Sequence, residues 1–230
     1  MQPQQIRLNK FLAERLGLSR READDVIARG AVSVNGERAI LGARVDKNDK
    51  VCYNEKIVPF QADFTYIAFN KPIGYVCSRR AQGETPTIYS LLPEEFQKLK
   101  TVGRLDKDSS GLILLTNDGD FAFSMTHPKF YKEKVYEVEL DRDLTPLHQQ
   151  EISDYGVMLE DGVSKFTVVR DENFAERRNF KVILAEGRNR QIRRTFAALG
   201  YRVTKLHRIQ FGKYQLSGLE PGKWVEIRKI

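Results

Sequence analysis

One carboxylate, Asp106, sits between two cations, Arg104 and Lys107, and is followed by Ser109-Ser110-Gly111 and the apolar run Leu112-Ile113-Leu114-Leu115. Asn117-Asp118-Gly119 closes the run, so the segment reads as a loop feeding a short buried strand. A loop carboxylate anchored to a rigid strand is well placed for chemistry, as a nucleophile or a proton shuttle. The residues alone also allow a solvated surface ion pair, the ordinary fate of an aspartate beside cations. Other chemistries find little support. His127, His148 and His207 share no metal-ligand spacing, and Cys52 and Cys77 lie 25 positions apart, so no metal site is expected. Gly218-Leu-Glu-Pro-Gly222-Lys223 lacks one residue and the trailing Ser or Thr of a phosphate loop, and reads as a hairpin turn. With no Gly-x-Gly-x-x-Gly after a strand, a methyltransferase is set aside, and no cofactor is expected.

The elements that must hold Asp106 follow from periodicity. Strands are expected at 64 to 69, 112 to 116, 134 to 140, 165 to 170, 179 to 185 and 202 to 211, with a last one around Lys223 to Ile227. Helices are expected near 119 to 126, 145 to 155 and 189 to 199. Many strands with few helices predict an α+β domain built on a mixed, largely antiparallel sheet flanked by helices.

A smaller domain precedes it. Leu8, Phe11, Leu12 and Leu16 recur at helical spacing until Gly17, and Ser19 with Glu22 forms a capping box for a second helix ending at Gly30. Val32-Ser33-Val34 and Arg38 to Ile40 flank the hairpin turn Asn35-Gly36, and a second strand pair is expected from Val45 and Val51-Cys52-Tyr53. A linker over Val58 to Asp63 divides residues 1-60 from residues 61-230.

Net charge is +7 over 230 residues, and its distribution is uneven. Arg177 to Lys213 holds eleven Lys or Arg against one acidic residue, whereas Glu133 to Glu176 holds twelve acidic residues against four basic ones. Such polarity predicts a face for a polyanion, since Lys and Arg neutralising phosphates dominate nucleic-acid affinity. No apolar run approaches a membrane span, and the polar first ten residues lack a signal segment, so a soluble cytoplasmic monomer is expected.

Three motifs carry a resemblance. Gly103-Arg104-Leu105-Asp106 with Ser110-Gly111-Leu112 resembles the catalytic-aspartate motif of the RNA pseudouridine synthases that act on ribosomal RNA. Lys71-Pro72-Ile73-Gly74 resembles their Lys-Pro-x-Gly element, and Gly187-Arg188-Asn189-Arg190-Gln191-Ile192-Arg193 their basic motif. From Arg7-Leu8-Asn9-Lys10 through Ser19-Arg20-Arg21-Glu22-Ala23 to Val34-Asn35-Gly36, the front domain resembles the S4 RNA-binding domain.

The resemblance implies an enzyme of the small-subunit pseudouridine synthase A type or its large-subunit relatives. It would act on 16S rRNA or, alternatively, 23S rRNA, as RNA or within a ribosomal assembly intermediate. It makes Asp106 the catalytic carboxylate, kept ionised by Arg193, with Tyr136 stacking on the uracil and Leu206 packing beneath it. Lys10, Arg20, Arg21 and Arg29 of the front domain, and Lys71, Arg104, Arg188 and Arg190 of the larger one, become the expected RNA contacts. His207 as a general base is the weaker idea, and the rival from another class is a noncatalytic S4-type RNA-binding protein.

Overall fold

Ser19 starts a helix as its spacing predicts. In the computed structural model, which describes residues 5–61, 63–79, 83–170 and 177–230, its hydroxyl accepts from the Glu22 amide at 3.1 Å and its amide donates to the Glu22 carboxylate at 2.6 Å. Both bonds satisfy donors that a helix start leaves open. Ala62, inside the expected linker, lies outside the described residues. The chain forms two compact units, one running to Thr65 with 117–119 and the other comprising 66–116 and 120–230.

The first unit contains β1 (Ile6–Arg7), α1 (Leu8–Leu16), α2 (Arg20–Ala28), β2 (Val32–Val34), β3 (Glu37–Arg38), β4 (Arg44–Val45), β5 (Val51–Tyr53) and β6 (Lys56–Ile57). Leu8, Phe11 and Leu12 of α1 meet Ala23, Val26 and Ile27 of α2 over the valines of the strands, which buries one stripe of each helix. The expected pairing of Val45 with Val51 to Tyr53 does not occur. The Asp46–Asp49 turn, closed by the Asp49 amide on the Asp46 carbonyl at 3.1 Å, separates them. Val45 instead pairs with Ile6, and β5 lies between β2 and β6.

The second unit contains β7 (Tyr66–Lys71), β8 (Lys100–Val102), β9 (Ser110–Thr116), α3 (Gly119–Thr126), β10 (Lys134–Leu140), α4 (Pro146–Gln150), β11 (Val157–Leu159) and β12 (Gly162–Ser164). It continues through β13 (Thr167–Arg170), β14 (Asn179–Leu184), α5 (Gln191–Ala198), β15 (Val203–Phe211), β16 (Tyr214–Gln215) and β17 (Trp224–Glu226). Its sheet runs β13-β14-β10-β15-β9-β7-β17, with β8 on β9 and β16 on β15. Every pairing is antiparallel except β15 with β9, as the mixed, largely antiparallel expectation requires. Ile113 and Leu115 face one apolar cluster while Leu112 and Leu114 face another, so β9 is buried on both sides. That double burial explains why its sequence is a continuous apolar run rather than an alternation.

The expected helix at 145 to 155 is α4 continued by a π-helical turn over Glu151–Tyr155. The hairpin β11–β12 and the 3-10 turns Ile88–Leu91 and Glu94–Phe96 have no counterpart among the expected elements. All are too short to show a period.

Candidate active site

β8 and β9 are antiparallel neighbours, and the chain between them, residues 103–109, carries Asp106. The loop is held by its backbone. The Ser109 amide donates to the Asp106 carbonyl at 3.1 Å, and the Gly74 amide donates to the Lys107 carbonyl at 2.8 Å. Lys71 Nζ donates to the Ser109 carbonyl at 2.6 Å, and Arg193 Nη2 donates to the Asp108 carbonyl at 2.8 Å. Such bracing fixes where the carboxylate points while leaving it reachable, with 32% of the Asp106 side chain exposed.

Asp106 opens into a cavity of about 310 Å³ whose walls include Arg104, Tyr136, Arg190, Leu206 and Arg208. The strand register makes this wall. Tyr136 pairs with Arg208 and Val138 with Leu206, so alternation places Tyr136 and Leu206 on one face of β10 and β15. Tyr136 is buried and its hydroxyl accepts from Arg208 Nη1 at 3.4 Å. Arg104 is exposed at the rim. His207 points to the opposite face, where its Nδ1 lies 2.8 Å from the Ser110 hydroxyl. Burial lowers its pKa and so favours neutral imidazole.

The ion pair with Asp106 is made by Arg190, while the expected Arg193 acts on that carboxylate at longer range. Arg190 Nη1 lies 3.6 Å from Asp106 Oδ2, whereas Arg193 places its Nε 3.3 Å from Asp108 Oδ2 and donates from Nη1 to the Val203 carbonyl at 3.0 Å. The reason is local backbone. Arg190 precedes the first turn of α5 in the left-handed region, φ 46° and ψ 31°, from where its guanidinium also grips the Asp108 carboxylate with bonds of 2.9 and 2.8 Å. Those bonds hold the Asp108 carboxyl below the usual carboxylate range and raise the Arg190 guanidinium. A side chain that accepts left-handed strain beside a reactive loop points to a positional need.

Two expected RNA contacts have other employment. Lys71 is fully buried, its ammonium bonded to the Pro72 and Ser109 carbonyls, so it braces the Asp106 loop instead of meeting phosphate. Arg188 donates to Asp161 and to the Gly162 and Val163 carbonyls, which ties the basic motif to the β11–β12 turn. In the first unit, Arg20 and Arg21 are exposed on the opening turn of α2, where the helix dipole disfavours cations. Arg29 follows the far end of that helix, roughly 13 Å away at the standard rise. Lys10 lies on α1, 3.9 Å from the Glu14 carboxylate.

Two cations of the cavity were absent from the expected set. Arg208 is 2% exposed, donates from Nε to the Leu112 carbonyl at 2.8 Å, and keeps Nη2 buried without an acceptor among the described residues. Lys134 also lines the cavity. Burial first, and the Arg208 guanidinium second, bring its pKa down to about 8. The Phe211 ring lies within reach of both, 4.9 Å from Arg208 Cζ and 5.4 Å from Lys134 Nζ. The available signal was alternation, because Lys134 is two residues before Tyr136 and Arg208 two after Leu206.

The cavity thus combines several cations with two carboxylates, Asp106 and a Glu186 that lies 3.5 Å from Arg188, a class of site suited to a polyanionic substrate and to acid-base or nucleophilic chemistry. Comparison with known proteins makes the class definite. The family model for RNA pseudouridylate synthase matches residues 65–198, and that for the S4 domain matches residues 6–51. The chain is 38% identical to ribosomal small subunit pseudouridine synthase A of Pasteurella multocida, over 92% of this chain and 90% of that one. It is 37% identical to the dual-specificity RNA pseudouridine synthase RluF of Escherichia coli K12, over 96% of this chain and 75% of the relative. A solved pseudouridylate synthase, 32% identical, superposes with a TM-score of 0.68 over 97% of this chain and 96% of its own. The chain belongs to the RNA pseudouridine synthase family and carries an S4 domain at its front.

Proposed function

We propose that this enzyme isomerises a specific uridine of ribosomal RNA to pseudouridine, with 16S rRNA the preferred target and 23S rRNA the alternative. Support for ribosomal RNA comes from a relative named for the ribosomal small subunit. The single observation that carries the reading is an accessible Asp106 carboxylate facing a cavity walled by Tyr136 and Leu206 and neighboured by Arg190.

A uridine everted from its RNA would enter the cavity, its ring against Tyr136 and above Leu206, and Arg104 at the rim would hold the displaced backbone. The N1–C1′ bond then breaks, the base turns, C5 bonds to C1′, and the proton leaving C5 is balanced by one arriving on N1. Asp106 serves as nucleophile or proton carrier in that exchange, and a guanidinium at its side favours the ionised form. The exposed Arg20 and Arg21 of the S4 domain contribute sequence-independent grip on phosphates.

The test is a pseudouridine map of ribosomal RNA from cells with and without the gene. A uridine that loses its mark, and regains it on complementation, supports the reading; identical maps overturn it and favour a noncatalytic RNA-binding role. Arg190→Gly separates site from scaffold. Glycine accepts the left-handed backbone without the penalty of about 1 kcal/mol that a side chain carries. The variant is expected to melt within about 2 °C of the parent or slightly above it. Its turnover is expected to fall about 10- to 100-fold, because Asp106 loses its neighbouring cation. Full activity in a folded Arg190→Gly enzyme would show that this cation is dispensable.

A further inference from the structure

α3 is two-sided in an unusual way. Phe121 and Met125 enter the apolar core, whereas Phe123 stands on the outside with 47% of its surface exposed. The 3-10 turn Pro128–Phe130 brings Phe130, 39% exposed, to 5.8 Å from Phe123 at an interplanar angle of 86°. His127 lies between them in sequence, its ring 4.6 Å from that of Phe123. Lys129 Nζ sits over both phenylalanines, 5.3 Å from one centroid and 4.7 Å from the other, and Tyr131 follows with 82% exposure. Aromatic surface open to water does little for the core, and a lysine poised over two of the rings sets this group apart from a scatter of exposed apolar residues.

Its position is the second observation. Thr126 and Pro128, from the same stretch, form part of the cavity wall, so the platform begins where the cavity mouth ends. A Cβ on Gly103 would lie 3.6 Å from Thr126 Cγ2, which places the stretch against the residue preceding Arg104. Phe123 to Lys134 carries Lys129, Lys132 and Lys134 against the single acid Glu133.

We infer that Phe123, Phe130 and Tyr131, with Lys129, form a stacking platform for single-stranded RNA adjoining the everted uridine. The inference rests on the proposed reading of the cavity as the place that receives a nucleotide of RNA. Once a uridine leaves its helix, the adjoining nucleotides lose a stacking partner and must emerge at the cavity mouth. Exposed aromatic faces restore that stacking for any base, and lysines between them meet the phosphates. A protein partner would want a continuous apolar patch depleted of lysine, which this surface is not.

The test uses the full chain and a single-stranded oligoribonucleotide of about a dozen residues carrying 2-aminopurine next to a central uridine. Wild-type protein should quench the probe on binding. The triple variant F123S/F130S/Y131S should bind about 30-fold more weakly, the loss expected of two stacking contacts, with little quenching. Its melting temperature should fall by no more than a few degrees, because Tyr131 is exposed and Phe123 and Phe130 are only partly buried. Phe123→Leu with Phe130→Leu and Tyr131→Leu keeps apolar bulk without an aromatic face and should also lose quenching. Retained quenching in the leucine variant, or unchanged affinity in the triple variant, would overturn the platform.

Turnover on ribosomal RNA from gene-deleted cells separates this inference from the reading beneath it. The platform predicts a raised KM with kcat within about threefold of wild type in the triple variant. If wild-type enzyme isomerises that RNA and the triple variant does so with the same KM, the platform fails alone. If no isomerisation occurs with wild type, the reading of the cavity fails, and the platform as placed beside a target uridine fails with it.

Discussion

Asp106→Asn is expected to leave a folded protein that binds RNA and makes no pseudouridine. The substitution replaces one oxygen by an amide of the same size, so the cavity keeps its shape. The ion pair lost with Arg190 joins side chains 32% and 43% exposed, and pairs of that kind contribute about 0–1 kcal/mol to stability. Arg190 retains its two bonds to Asp108, and the Asp106 main chain keeps its turn with Ser109. RNA affinity should change by less than about threefold, since it depends on cations facing phosphates. Isomerisation should fall by at least about 1,000-fold, because an amide at neutral pH neither attacks a carbon nor carries a proton. Single-turnover assays on ribosomal RNA from gene-deleted cells, run beside filter binding and a melting curve, read all three quantities. Isomerisation at wild-type rate would assign the chemistry to another side chain.

Gly111→Ala is expected to destabilise the protein most among single changes near the site. Gly111 lies where β9 runs parallel to β15, opposite Arg208, with φ 106°. A Cβ there would stand 2.2 Å from the Arg208 carbonyl oxygen and 2.5 Å from its nitrogen, distances that demand a backbone shift. Forcing β9 from β15 strains the strands that carry the Asp106 loop and Leu206 together. Overpacking of about 1–3 kcal/mol adds to a left-handed penalty of about 1–2 kcal/mol, so a loss of roughly 3 kcal/mol is expected. In urea, that moves the unfolding midpoint down by about 1 M or more. An unchanged midpoint would mean that the strands part without cost. The Ser-Gly-Leu portion of the aspartate motif thus has a physical reason: only glycine lets the strand after Asp106 lie against β15.

How far the molecule was legible beforehand can be seen in single elements. The strand expected at 112 to 116, which begins two residues earlier at Ser110, was visible because double burial demands an unbroken apolar run, and the capping box at Ser19 because it is a local bond pattern. The β11–β12 hairpin was not, although it anchors Arg188 and Arg194 through Asp161, since three-residue strands carry no period.

For Lys71, the Lys-Pro-x-Gly element suggests a structural part beside a possible phosphate contact, and only packing shows which holds: its ammonium ends on the Ser109 carbonyl, inside the protein.

Residue order by itself determined the α+β class and the placing of Asp106 on a loop before a buried strand, since local periodicity and turn chemistry encode them. Tertiary structure alone decided which guanidinium stands beside that carboxylate. Arg190 and Arg193 are both basic and three positions apart, and the choice between them came from a left-handed residue at the start of α5 and from the distance across to β9. Such through-space distances, like the approach of Arg208 to Gly111, arise only when strands remote in sequence are paired.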